Sequence, residues 1–177
     1  MPDTGSIDNP VYSKNTIEFV TVAKSFCDFL ENIDQIDKKK FLDTMVRLLP
    51  LLYLKATFLP KNDLMGEGEP EVFATETQYA LLVNNIASML GSDDNYLEVF
   101  HPDIALSDDS VAASISENIA DIWQDIYNFI EVYRLGFDEA MNDALYYCRS
   151  NFETFWGQSL VNVMRVIHSI SHSESVD

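Results

Sequence analysis

Apolar residues return along most of this chain at alternating steps of four and three, the spacing that puts them on one side of an α-helix. The clearest case is Ser114 to Tyr133, where Ile115, Ile119, Ile122, Ile126, Phe129 and Tyr133 share a stripe. Ser107 or Ser110 is placed to cap this helix and Gly136 to end it. Upstream, Ser13 or Asn15 opens a helix to about Asn32. Its apolar set, from Ile17 to Ile33, covers more than one face, which predicts a central position. A second helix starts at Asp37 and carries Phe41, Met45, Leu48, Leu49 and Leu52. Pro50 lacks an amide donor and crowds the preceding turn, so a kink or break is expected near Leu49. Thr75 to Leu90 forms a third helix, stopped by Gly91. The last begins near Phe137 and runs to His168, about 48 Å at 1.5 Å per residue, long enough for a bend near Gly157.

Between these segments the pattern lapses. Residues 1–12 hold Pro2, Gly5 and Pro10 and predict an irregular arm. The stretch from Pro60 to Ala74 is a long acidic loop, of a length that in compact domains is often functional or mobile. The connection after Gly91 has room for one helical turn around Tyr96 to Phe100. No stretch predicts a sheet. The fold class expected is all-α, a single-domain bundle of five or six helices over residues 13–170, followed by a polar tail at 171–177.

Composition adds compartment and charge. The 177 residues suffice for one core without metals or disulfides. Cys27 and Cys148 each lie within an apolar helical pattern, as small buried side chains in a reducing compartment would; spacing alone does not exclude a disulfide. The N-terminus has no charged-then-apolar signal pattern, and no apolar run is long enough to cross a membrane. A cytoplasmic location is expected. The net charge is −18, unevenly spread. Residues 1–61 hold 8 acidic and 8 basic side chains, whereas Asn62 to Tyr133 hold 15 acidic and no Lys or Arg. Such a stretch repels phosphates, which argues against direct nucleic-acid or anionic-membrane binding and favours a cationic partner.

The segments IEFVTVAKSFCDFLE, LLPLLYLKATFLP and ENIADIWQDIYNFI together resemble an uncharacterised bacterial all-helical family of unknown function, from about Asn9 to Ile170. The resemblance implies a cytoplasmic bacterial helical domain. It brings no catalytic residues with it.

The candidate chemistry is a ladder of carboxylates on the fourth helix. Glu117, Asp121 and Asp125 follow at steps of four, so they are neighbours whose like charges repel by a few tenths of a kcal/mol per pair. A divalent cation or a basic partner would relieve that repulsion; a solvated acidic face is the plain alternative. Trp123 sits between ladder members, off the main stripe, either as an anchor for a partner or as packing against another helix. Magnesium or manganese chemistry would need acids converging from a second helix, and no Glu-x-x-His or paired Glu motif is present. His168 and His172 could share a helix face but lie where the helix frays, and His101 has no feature that makes it a base. Asp93, Asp94 and Asn95 lack the spacing of a calcium loop. Arg149 has Glu153 four residues on as an ion-pair partner.

The expectation is therefore a non-enzymatic module without a cofactor, whose acidic middle binds a basic partner protein. The ladder and Trp123 are its candidate contacts. The alternative is a metal-dependent hydrolase of a nucleotide or phosphate ester using Glu117, Asp121 and Asp125 as ligands. A homo-oligomeric structural protein is the third possibility.

Overall fold

Four of the helices start where a side chain accepts one of their first free amides. The computed structural model describes residues 9–98 and 111–173. Ser13 accepts from the Thr16 amide and opens α1, Lys14–Glu31. Asp37 does the same for Lys40 at the head of α2, Lys38–Thr57. Thr75 and Gln78 bond reciprocally across the first turn of α3, Glu76–Leu90, so two amides that the helix itself cannot use are satisfied together. Gly91, at φ +58°, ends α3 in a conformation that costs other residues.

The fourth helix, α4, is Ile115–Leu135, and its N-cap is Ser114, not Ser107 or Ser110, which lie outside the described residues. Gly136 closes it at φ +78°. Then α5, Asp138–Asn151, passes through a π-helical turn, Phe152–Trp156, into α6, Gly157–Ser173. The irregularity expected near Gly157 is this widened turn. The Gly157 amide reaches Phe152 O, and a Cβ at Gly157 would stand 2.4 Å from that same oxygen. A residue without a side chain is what allows the wide turn to close. The Trp156 indole donates to Cys148 O at 3.1 Å, tying the turn to the end of α5.

Three expectations change. First, of the kink or break expected at Pro50 the break does not occur, and α2 continues through it as one helix. Pro50 is exposed, so the carbonyl it leaves unpaired one turn back faces water. Second, a small antiparallel sheet exists where none was expected: β1, Asn95–Glu98, pairs with β2, Val111–Ser114, in the register Asn95↔Ser114 to Glu98↔Val111. It takes the place of the turn expected from Tyr96. Four residues per strand are too few to show a period of two. Third, α4 rather than α1 is central, with α1, α3, α5 and α6 all packed on it, whereas α1 packs chiefly on α2 and α4 and leaves Ile17 exposed.

The all-helical class otherwise holds. Ile115, Ile119, Ile122 and Ile126 of α4 are fully buried, with Phe19 and Phe26 of α1, Leu49 and Leu52 of α2, and Trp156 among their companions in one continuous core. The first residues described are not a loose arm: Pro10–Tyr12 form a 3-10 turn in which Val11 is buried and receives the Tyr133 hydroxyl on its carbonyl at 2.7 Å. Among the described residues no helix is long and apolar enough to cross a membrane.

Candidate functional site

The three carboxylates of the ladder stand in three different surroundings. Glu117 is exposed in the first turn of α4, where it accepts from the Ser114 hydroxyl at 3.1 Å while its amide donates back to that oxygen. It serves the helix start, where negative charge also suits the dipole. One turn on, Asp121 faces α3 and accepts from the Tyr79 hydroxyl at 2.8 Å. Asp125 faces the end of α5 and accepts from the Asn151 amide at 2.8 Å. The ladder thus runs from solvent into the seams of the bundle. Burial pushes both aspartates above the usual carboxylate range, with their neighbours' charges adding to it and the two hydrogen bonds opposing it. The Tyr79 hydroxyl is pushed up in turn, by burial first and by Asp121 second.

What stands opposite the aspartates is a phenol and an amide, neither of which brings a second carboxylate. Among the described residues no group of three or more His, Cys, Asp or Glu is gathered as a metal site would need. His168 and His172 do share a face, with rings 4.3 Å apart, and His101 lies outside the described residues. Trp123 is 4% exposed and stacks on Tyr127 at 4.9 Å; it is first of all a packing residue. Asp94, which fits no calcium loop, instead holds α4: its carboxylate accepts the Ser116 amide and hydroxyl, each at 2.7 Å. Arg149 reaches Glu153 as its spacing suggests, at 3.1 Å, while Arg165 donates to Leu97 O of β1 at 3.0 Å. Cys27 and Cys148 are free, buried thiols, and burial raises both.

The long acidic loop is a strap tied down by side chains of α4 and α5. Asn62 donates to Asn142 O at 2.7 Å and Asn142 returns a bond to Asp63 O at 2.8 Å. The Met65 and Gly66 amides both point at the Asp143 carboxylate, each at 2.8 Å. Burial alone would raise Asp143, but these amides and Asn142 outweigh it and hold it below the usual range. Farther on, Asn128 Oδ1 accepts from the amides of Phe73 and Ala74 at 2.8 Å. Cavities of about 200 and 360 Å³ lie along the strap, the smaller one reaching Asp125.

On another side of the bundle, a groove of about 410 Å³ opens between the end of α1 and α3. Leu30, Ile33, Leu81, Leu82 and Trp123 make its apolar wall, while Glu31 and Asp34 stand on one lip and Gln78 and Asn85 on the other. Its volume is in the lower part of the ~300–1,000 Å³ typical of ligand pockets. Here Trp123, which the sequence singles out, meets residues that it does not. Leu81 carried a signal: it is apolar and lies beside, not on, the stripe of Tyr79, Leu82, Val83, Ile86 and Leu90. Glu31 carried another, since an acid at a helix C-terminus works against the dipole.

Similarity to known proteins agrees with this architecture and assigns no activity. No curated protein matches the chain. The crystal structure of protein BF1032 from Bacteroides fragilis, a structural-genomics target, is 45% identical and superposes with a TM-score of 0.82, the match covering 93% of this chain and 96% of that one. The profile of a domain of unknown function, DUF5063, spans residues 10–173. With nearly every described residue inside that match, the chain belongs to the DUF5063 family.

Proposed function

We propose that this chain is a non-enzymatic, cytoplasmic interaction module whose acidic side receives a basic surface of a partner protein. The observation that carries it is the charge asymmetry: the 15 acidic residues between Asn62 and Tyr133 face no Lys or Arg of their own segment. Much of that segment is the strap, α3 and the greater part of α4, with α3 and α4 packed on one another. A negative field from one side of the molecule speeds encounter with a cationic partner and turns acidic ones away. One specific form is an inhibitor or immunity-type protein that covers the cationic groove of a nucleic-acid-binding protein.

The hydrolase alternative needs carboxylates converging from two helices, and the pairings of Asp121 with Tyr79 and Asp125 with Asn151 favour the interaction module over it. Calorimetric titration with magnesium and manganese, repeated on Asp121→Asn, decides between them. Micromolar binding that the substitution abolishes would restore the hydrolase.

The main test is capture from lysate of the protein's own cells at an ionic strength of about 0.01 M, with elution near 1 M, over which the Debye length falls from roughly 30 to 3 Å. Partners with basic surfaces that leave as salt rises, and that rebind when purified, are expected. A captured set no more basic than the lysate, or one that high salt does not release, would refute the proposal.

A further inference from the structure

The groove between the end of α1 and α3 places two carboxylates beside a helix C-terminus. Glu31 is the last residue of α1, and α1 has no basic side chain in its final turn. The partial negative charge of the helix end therefore meets a carboxylate instead of a cation, and Asp34 in the following 3-10 turn adds a second. The cation of α1 nearest in sequence, Lys24, is bonded to Asp28 at 2.5 Å. Beside these charges Leu81 is 59% exposed, and Leu30, Ile33 and Leu82 continue the apolar wall down to Trp123. An apolar trough with two carboxylates and a helix C-terminus on one lip is complementary to a side chain that is apolar in body and followed closely by a cation.

We infer that this groove docks an amphipathic basic segment of a partner protein, with a bulky apolar side chain against Leu81 and Trp123 and a neighbouring Lys or Arg against Glu31 and Asp34. The inference rests on the interaction-module proposal and deepens it by naming a docking surface, whose carboxylates Glu31 and Asp34 lie outside the acidic stretch Asn62 to Tyr133, and the chemistry of the segment that fills it. Grooves between helices take such segments through apolar anchors one turn apart. The α3 lip offers matching spacing, because Gln78, Leu81, Leu82 and Asn85 fall at steps of three, one and three and face the same way. A second acidic surface, the strap, carries Glu67 and Glu69 without contributing to this groove and so serves as an internal control.

The probe is a synthetic amphipathic helix of leucine and lysine, titrated into the full chain by calorimetry and by tryptophan fluorescence. Two companions are used, one with glutamate for lysine and one with serine for leucine. Trp123 lines the groove and Trp156 is fully buried in the core, so a Trp123→Phe variant assigns the optical signal. Binding of the leucine–lysine helix alone is expected. Glu31→Gln with Asp34→Asn should weaken it about 3- to 30-fold at low salt, the range of two partly exposed ion pairs. Leu81→Ser should weaken it about tenfold, as loss of a central apolar anchor does. Glu67→Gln with Glu69→Gln, which removes the same charge from the strap, should change it less than about twofold.

Equal losses from the strap and groove charge variants would show attraction to the acidic chain at large and overturn the groove. So would equal binding of the serine companion, or of spermine with the same dependence on Glu31 and Asp34, which would make the groove a polyamine site. In each of those cases the interaction-module proposal survives. If neither lysine-bearing peptide binds even at low salt, the groove falls, and the lysate capture decides the module separately.

Discussion

Replacing Asp125 by Asn should stabilise this protein at neutral pH, and the gain should vanish in acid. The carboxylate is half-buried on α4 and accepts one hydrogen bond, from Asn151. The small cavity beside it is lined by Glu71, Tyr147 and Cys148 but by no Lys or Arg, and Asp121 adds like charge from the preceding turn. Exchanging a charged acceptor for a neutral one loses about 1 kcal/mol of hydrogen bonding. Removing the charge recovers part of a desolvation cost that reaches several kcal/mol for a fully buried ion. Taking about 2 kcal/mol here, because the site is partly open to water, leaves a net gain of about 1 kcal/mol.

The pH dependence follows from the raised carboxyl. Its folded form holds the proton more tightly than the unfolded chain, so wild-type stability falls as pH rises from the ordinary carboxylate range through the raised value. Above that window the full cost is present; below about pH 3.9 both states are protonated and it disappears. Urea unfolding of both proteins at pH 7 and near pH 3 measures the difference directly. At pH 7 the variant should melt about 2–4 °C higher. A variant less stable than wild type at pH 7, or a gain unchanged in acid, would refute the account of Asp125 as a buried, uncompensated charge.

Three further outcomes test other parts of the fold. Asp94→Ala leaves the Ser116 amide and hydroxyl without their acceptor and should cost about 2–4 kcal/mol in denaturant unfolding; no loss would show that α4 does not depend on that carboxylate. Gly157→Ala would gain about 1 kcal/mol in an ordinary helix, but contact with Phe152 O at 2.4 Å reverses the sign to a loss of about 1–3 kcal/mol, which thermal unfolding can read. Cys27 and Cys148, buried and with their thiols raised, should resist a thiol reagent until the chain unfolds, so labelling rates should track the population unfolded in urea.

The helices were legible because burial on a helix face leaves a period that survives in one dimension. The stripe of α4, the cap at Ser13, the helix starts at Asp37 and Thr75, and the stop at Gly91 all act within a turn or two of chain, and the structure keeps each of them. At Pro50 the sequence left a kink and a break both open; that α2 continues as one helix depends on whether the stranded carbonyl meets water, which only the outward position of that face decides. The two strands escaped notice since four residues cannot display an alternation and their pairing is not local to either segment. For the same reason Ser114 replaced the serines upstream as the cap of α4.

The ladder divides along similar lines. Its spacing, its place on α4 and the excess of negative charge around it are properties of the sequence. That Glu117 turns to its own cap, Asp121 to Tyr79 and Asp125 to Asn151 depends on which helix lies opposite each turn, and no local pattern encodes that. The groove is still more a product of packing, since Glu31, Asp34, Leu81 and Trp123 come from four separate elements and meet only because α1 and α3 both pack on α4. Sequence determined which side chains are apolar, which are charged and where helices begin and end, because those follow from neighbouring residues and from water. Tertiary structure alone decided which carboxylates lost that water and which apolar side chains kept it, because burial belongs to surfaces brought together from distant parts of the chain.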